Sequence, residues 1–116
     1  MYKEQEIREY ARERVEDIAH YSNECLEDIT DLHHDIFNTD YYIVGRYQAT
    51  EWLGSKAFEC IGVVKEYEES NFGAIYTDLS EPEHVVNMYV YIVGEQILDE
   101  VVQEYLAAQQ LKLNVV

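Results

Sequence analysis

The sequence has few basic side chains relative to its acidic ones. The 116 residues include 8 Lys and Arg against 24 Asp and Glu, which gives a formal net charge of −16 at pH 7. A protein with that balance is repelled by the phosphates of duplex nucleic acid and by anionic membrane surfaces. Direct binding to nucleic acid or to a membrane is therefore disfavoured, whereas a basic protein surface or a divalent cation would be attracted.

Cysteines and long apolar runs are also scarce. Cys25 and Cys60 form no CxxC pair, and two thiols alone cannot complete a metal site. One disulfide is compatible with the sequence but not implied, and reduced thiols in a cytoplasm are the simpler interpretation. The charged residues 1–9 lack the apolar core of a secretory signal, and no run reaches the roughly 20 apolar residues of a membrane span. We therefore expect a soluble cytoplasmic protein.

No pattern typical of nucleophilic or phosphate-binding enzymes is present. A glycine-rich phosphate loop is missing. Cys25 and Cys60 fall on apolar helix faces, where a cysteine ordinarily acts as a small buried hydrophobe. We therefore predict no catalytic residue, and we expect the protein not to be an enzyme.

The stretch from Ser80 to Ala108 has the clearest helical pattern. Ser80 followed by Pro82 and Glu83 is typical of a helix start, with Ser80 as the N-cap and Glu83 completing a capping box. Apolar residues then recur at helical spacing, at Val85, Met88 or Tyr89, Ile92 or Val93, Ile97, Val101 and Tyr105. The apolar face formed by these residues is wide, which favours the central helix of a bundle. Residues 109–116 are expected to form a loose apolar tail.

Other segments share this spacing. Residues 3–20 predict an amphipathic helix, and residues 25–37 predict a second one that follows a short break or continues the first as one bent helix. Residues 41–53 favour a helix that ends at Gly54, although their first half has strand composition. Residues 55–73 predict a further helix, capped by Ser55 and ending near Asn71-Phe72-Gly73.

We therefore predict one all-α domain spanning residues 1–116, a compact bundle of four to five helices around the Ser80 helix. The alternative is an α+β fold in which Tyr41–Tyr47 and Ala74–Thr77 form a short two-stranded element. The chain also contains 11 Tyr against one Trp and three Phe. Tyr has an apolar body and a polar tip, so these residues are expected either in the outer layer of the core or in a contact surface.

Acidic residues are segregated along the chain. Eight lie between Arg14 and Arg46 and ten between Lys65 and Lys112, in both cases without an intervening base. Acids three or four residues apart form a ridge on one helix face, with Cβ atoms about 5–6 Å apart. Phosphates along a DNA strand recur at a comparable distance. The candidate partner-binding residues are Glu24, Glu27, Asp28, Asp31 and Asp35 first, and Glu66, Glu68, Glu69, Asp99 and Glu100 second.

Acid–histidine pairs suggest an alternative metal-binding function. Three His follow an acid by three residues, in the pairs Asp17/His20, Asp31/His34 and Glu81/His84. Glu-x-x-His pairs on two helices build di-iron sites in bundles, but two of these pairs use Asp and the third lies at a helix start. Residues 24–31 also resemble the acidic helices that hold Mg²⁺ in all-α nucleotide pyrophosphohydrolases, although this chain has few basic residues for a triphosphate. We predict neither a metal ligand nor a cofactor.

Four short motifs resemble small acidic proteins of tailed bacteriophages. They are Asp40-Tyr-Tyr-Ile-Val-Gly, Asn71-Phe-Gly, Thr77-Asp-Leu-Ser and Val85-Val-Asn-Met, within residues 29–98. This resemblance implies a phage origin and brings no site residue with it. In length, charge and helical content the chain also resembles phage anti-restriction proteins of the Ocr type, which are acidic DNA mimics.

From these observations we predict a non-enzymatic acidic inhibitor, phage-encoded and acting in the host cytoplasm. It would mimic the charge of nucleic acid and bind the basic surface of a host DNA- or RNA-binding defence protein, of the restriction or CRISPR kind. One alternative is a Mg-dependent nucleotide pyrophosphohydrolase-like or metal-binding bundle. The other is an oligomeric adaptor, such as a homodimer, with an exposed apolar patch around residues 111–116.

Overall fold

The computed structural model describes residues 1–21, 33, 36–37 and 49–114 of the chain. The predicted all-α class is confirmed for this part, which contains helices and turns but no strand. The helices, numbered in order among the described residues, are α1 (Glu4–Tyr21), α2 (Ala49–Leu53), α3 (Ala57–Phe72) and α4 (Pro82–Asn114). A 3₁₀ turn at Gly54–Lys56 joins α2 to α3.

The predicted number of four to five helices is not reproduced by the described residues. Only α1, α3 and α4 are long, with 18, 16 and 33 residues, whereas α2 has five. The helix expected at residues 25–37 lies almost entirely outside the described residues, as does most of the one expected at residues 41–53. The α+β alternative is wrong for Ala74–Thr77, which forms bends and irregular backbone, while Tyr41–Tyr47 lies outside the described residues.

Helix α4 is the centre of the described structure, as predicted. Its 33 residues extend about 50 Å, and α1, α2 and α3 all pack against it. Because α4 is covered from several directions, its buried face is wider than a single stripe. The buried residues of α4 include Val85, Val86, Tyr89, Val90, Ile92, Val93, Ile97, Leu98, Val101 and Val102.

Both ends of α4 differ from the prediction. The helix begins at Pro82, so the N-cap position falls on Glu81 and not on Ser80. The Ser80 hydroxyl instead donates to Asp78 Oδ1 at 2.6 Å, and the Ser80 N–H donates to the same oxygen at 3.0 Å. At the other end the helix continues to Asn114, so residues 109–114 are helical and not a loose tail. No helix in the described part of the chain is both long and apolar enough to cross a membrane.

Helices α1 and α4 run in the same direction. Tyr89 Oη donates to the carbonyl of Tyr2 at 2.6 Å, and farther along both helices Arg12 Nε donates to Glu104 Oε2 at 3.3 Å. The α1 face that contacts α4 consists of Ile7, Ala11 and Val15, which are buried as their spacing predicts. A parallel pair of helices needs a long connection to bring the chain back to its starting end.

The α2–α3 segment also advances along α4 in the direction of the chain. The ring of Trp52 lies 6.3 Å from that of Tyr89, whereas Tyr67 is hydrogen-bonded to Glu95. Helix α3 ends at Gly73, as predicted, because this residue has φ 73° and its N–H donates to the Glu69 carbonyl. Residues 74–81 then return to the start of α4 without regular structure.

Candidate interaction surface

The predicted partner-binding acids divide between the two parts of the chain. Glu24, Glu27, Asp28, Asp31 and Asp35 lie outside the described residues. The second group, on α3 and α4, is fully described and falls into three classes according to what each carboxylate contacts.

Glu66, Glu69 and Asp99 are exposed and form no ion pair within the described residues. Lys65, although it is one helical turn before Glu69, makes no ion pair in this part of the chain either. These three carboxylates are therefore accessible to solvent, and their role in binding a partner stays a prediction.

Glu100 is exposed but already has a cationic partner. Arg8 Nη2 lies 2.9 Å from Glu100 Oε2, and Arg8 Nη1 lies 3.8 Å from Glu104 Oε1. Arg12 Nη2 lies 3.2 Å from Glu104 Oε2. The arginines of α1 thus neutralise one edge of α4, so Glu100 belongs to the contact between two helices.

Glu68 is buried, with 2% of its surface exposed, and cannot belong to an acidic ridge that faces a partner. Its Oε1 accepts hydrogen bonds from the N–H groups of Tyr76 (3.2 Å) and Thr77 (2.9 Å), and its Oε2 accepts one from Thr77 Oγ1 at 2.9 Å. A buried carboxylate is retained when donors satisfy it in this way. Glu68 is therefore the residue that fixes the loop after α3.

Three aromatic side chains form a cluster where α3 meets this loop. The ring of Phe72 lies 6.0 Å from the ring of Tyr67 and 6.0 Å from the ring of Tyr76, and both contacts are edge-to-face. Phe72 is 53% exposed and Tyr76 74% exposed, with Ile75 partly exposed between them. We call Tyr67, Phe72 and Tyr76 the aromatic cluster.

One carboxylate contacts the aromatic cluster, and three others lie within one or two helical turns of it or of that carboxylate. Tyr67 Oη donates to Glu95 Oε2 at 2.8 Å, and Asp99 follows Glu95 by one helical turn. Glu69 precedes Phe72 by one turn of α3, and Glu66 precedes Glu69 by another. We call Glu66, Glu69, Glu95 and Asp99 the acidic rim.

The electrostatics of this region keep Tyr67 protonated. Burial, followed by the hydrogen bond to Glu95 and the charge of that carboxylate, raises the pKa of Tyr67 to about 12. The phenol is protonated at neutral pH, as an ordinary tyrosine is, and it donates its hydrogen bond to Glu95 at the border of the cluster.

Sequence reasoning missed the aromatic cluster as a site. The motif Asn71-Phe72-Gly73 predicts a helix end, and the structure confirms that end, but the exposure of Phe72 depends on what packs there in three dimensions. The available signal was a phenylalanine among polar neighbours at the last turn of a helix, followed by a tyrosine four residues later. Chain order alone does not show that Glu68 brings Tyr76 back beside Phe72.

The described residues contain no group of three or more His, Cys, Asp or Glu side chains that could hold a metal ion. Of the three predicted acid–histidine pairs, Asp17/His20 and Glu81/His84 are exposed, while Asp31/His34 lies outside the described residues. Cys60 is buried, and burial, with a smaller contribution from Glu59, raises the pKa of its thiol to about 11. This thiol is therefore poorly suited to act as a nucleophile.

Comparisons of the chain with protein-family models, curated protein sequences and solved structures gave no match.

Proposed function

We propose that this protein is a non-enzymatic inhibitor, encoded by a phage, that binds the basic nucleic-acid-binding surface of a host defence protein in the cytoplasm. Its carboxylates would occupy the positions that phosphates take in the natural ligand. The restriction and CRISPR effectors are the class of partner with such a surface.

One observation supports this proposal above the others: among the residues that the structure describes, the acidic rim forms no ion pair with a Lys or Arg side chain. Residues 66–111 contain ten acids and no Lys or Arg. Arg8 and Arg12, which do contact α4, are paired with Glu100 and Glu104 and not with the acidic rim. An acidic surface that the protein leaves uncompensated costs self-repulsion, which a basic partner would relieve.

Association with such a partner should be fast and sensitive to salt. Opposite charges steer the encounter of two proteins, and exposed charges are screened beyond about 8–10 Å at physiological ionic strength. Because a nucleic-acid-binding surface also attracts DNA, duplex DNA should compete with the inhibitor for it.

The test is capture of host proteins on the immobilised chain at low salt, followed by elution with excess duplex DNA. We expect a nucleic-acid-binding protein that both DNA and high salt displace. A triple variant carrying Glu66→Lys, Glu69→Lys and Asp99→Lys should lose this protein, since it reverses three carboxylates that form no ion pair with another described residue.

A matched control separates local charge from net charge. The variant Glu9→Lys, Glu13→Lys and Glu16→Lys changes the net charge equally but on exposed positions of α1. Capture should survive in this control. Equal loss in both triple variants would mean that only the total charge matters, and a captured protein indifferent to DNA and salt would contradict mimicry.

A second candidate function, self-association as an oligomeric adaptor, is favoured by the C-terminal part of α4. Leu106 is partly exposed and Leu111 is 65% exposed, and both lie on the same helix. Sedimentation analysis of the protein alone tests this function. A homodimer that Leu111→Glu converts to monomer would support the adaptor, whereas a monomer would remove it.

A further inference from the structure

We propose that the aromatic cluster and acidic rim form a preformed docking surface for an arginine-bearing segment of a partner protein. This inference deepens the proposed function, on which it rests for the class of partner, by naming the side chain that the surface recognises.

The aromatic cluster has exposed rings that the described fold does not cover. Large apolar side chains in a contiguous exposed group are typical of interaction sites, whereas single exposed hydrophobes are common everywhere on proteins. Phe72 and Tyr76 meet this description, because their rings contact each other while remaining more than half exposed, and Phe72 also contacts the ring of Tyr67.

The surface is held in shape before any partner arrives. Glu68 fixes the backbone of Tyr76 and Thr77, and Asn71 Nδ2 donates to the Tyr67 carbonyl at 2.8 Å. Gly73 supplies the left-handed residue that turns the chain between Phe72 and Tyr76. A preformed surface loses little conformational entropy on binding, which favours affinity.

The carboxylates of the acidic rim favour a cationic ligand, and the rings of the aromatic cluster favour arginine among the cationic side chains. A guanidinium is planar, so it can stack on an aromatic ring while its N–H groups donate to a neighbouring carboxylate. Glu95 is hydrogen-bonded to Tyr67, and Glu69 precedes Phe72 by one turn of α3, so each of these two rings has a carboxylate near it that can accept such a hydrogen bond. The ammonium group of lysine is compact and strongly hydrated, so it interacts less favourably with the aromatic rings.

A second copy of this chain is a poor occupant of the same surface. Two acidic rims would be brought together in a symmetric dimer, which opposes association. Arg8 and Arg12, the arginines of α1 nearest to α4, are already paired with Glu100 and Glu104. Charge complementarity therefore favours a different, basic protein.

The experiment uses two labelled peptides, one of alternating Arg and Gly and one of alternating Lys and Gly, with fluorescence anisotropy as the readout. The intact protein should bind the Arg peptide about two- to fivefold more tightly than the Lys peptide. Tyr76→Ala and Phe72→Ala should abolish this preference, whereas Tyr76→Phe should keep it because the ring remains.

Phe58→Ala is the matched control, since Phe58 lies on the same helix, is 90% exposed and is remote in sequence from the cluster. It should leave the preference unchanged, and circular dichroism will confirm that each variant is folded. Equal affinity for both peptides, no binding to either, or a preference that survives Tyr76→Ala would overturn the inference. Those results would not contradict the proposed charge mimicry. Conversely, a preference for the Arg peptide without capture of a nucleic-acid-binding protein would refute the proposed function and leave the inference about arginine standing.

Discussion

Phe37 packs directly against the backbone of α4 at Gly94. A Cβ atom added to Gly94 would lie 2.5 Å from Cε2 and Cζ of the Phe37 ring. Both residues are buried, and the ring is also 5.8 Å from His33, whose Nε2 lies 3.1 Å from the carbonyl of Tyr91. The absence of a side chain at Gly94 is what lets the ring of Phe37 approach the central helix so closely.

This contact predicts that Gly94→Ala destabilises the protein, although Ala is the better helix former. The added methyl group would force a buried ring to move, and overpacking of this kind costs about 1–3 kcal/mol. The gain in helix propensity offsets at most about 1 kcal/mol of that cost. The midpoint of urea denaturation should therefore fall.

Gly62→Ala is the matched control, because Gly62 is a helical glycine on α3 with no atom within 4 Å of an added Cβ. It should stabilise the protein by about 0.5–1 kcal/mol through backbone entropy alone. An increase in stability for both variants would show that the Phe37–Gly94 contact is not close in solution.

The part of the fold that could be predicted from sequence is the part governed by local periodicity. The burial of Ile7, Ala11 and Val15 on α1 follows from their spacing, and Gly73 ends α3 because a left-handed residue favours glycine. The predicted start of α4 is wrong by one residue, because the helix begins at Pro82, which is favoured at the first helical position.

The candidate surface could be predicted only in part, because acidic residues that look equivalent in the sequence have different neighbours in the folded protein. Spacing places Glu66, Glu68 and Glu69 together as a run of acids, but the returning loop buries Glu68 alone. Asp99 and Glu100 are neighbours in sequence, yet only Glu100 faces the arginines of α1. These distinctions depend on contacts between residues distant in sequence, which periodicity does not contain.

Glu68 should contribute to stability through the loop it holds. Glu68→Ala would leave two backbone N–H groups and a hydroxyl without their acceptor, at a cost of about 1–3 kcal/mol. Amide exchange of Tyr76 and Thr77 should accelerate in this variant. Glu68→Gln keeps the shape and an acceptor oxygen, so it should cost less, and a similar cost for both variants would contradict the assignment of these hydrogen bonds.

Asp99 and Glu100 offer an adjacent pair for testing which acids are structural. Glu100→Lys would place a cation against Arg8 and should destabilise the protein by about 0.5–1 kcal/mol, with the effect reduced by salt. Asp99→Lys makes the same change in charge without a nearby arginine contact and should be close to neutral. Denaturation midpoints at low and high salt measure both variants, and the opposite order would contradict the placement of the two carboxylates.

Stability should fall as the solution becomes strongly alkaline, and Tyr67 should contribute to that fall. The pKa of its phenol is about 12 in the folded protein, above the ordinary value of 10.0 that applies when the chain is unfolded. Below pH 10 both states keep the proton. Between these two values only the unfolded state releases it, so the free energy of unfolding decreases as pH rises.

Burial also raises the pKa of Tyr10, Tyr89 and Tyr91, so several phenols share this alkaline loss. Tyr67→Phe removes one of them together with the hydrogen bond to Glu95. This variant should be less stable than the parent at neutral pH but should lose stability less steeply above about pH 10. Urea denaturation at several pH values above 10 measures how steeply the free energy of unfolding falls with pH. If Tyr67→Phe leaves this slope unchanged, Tyr67 does not hold its proton more tightly in the folded state than in the unfolded state.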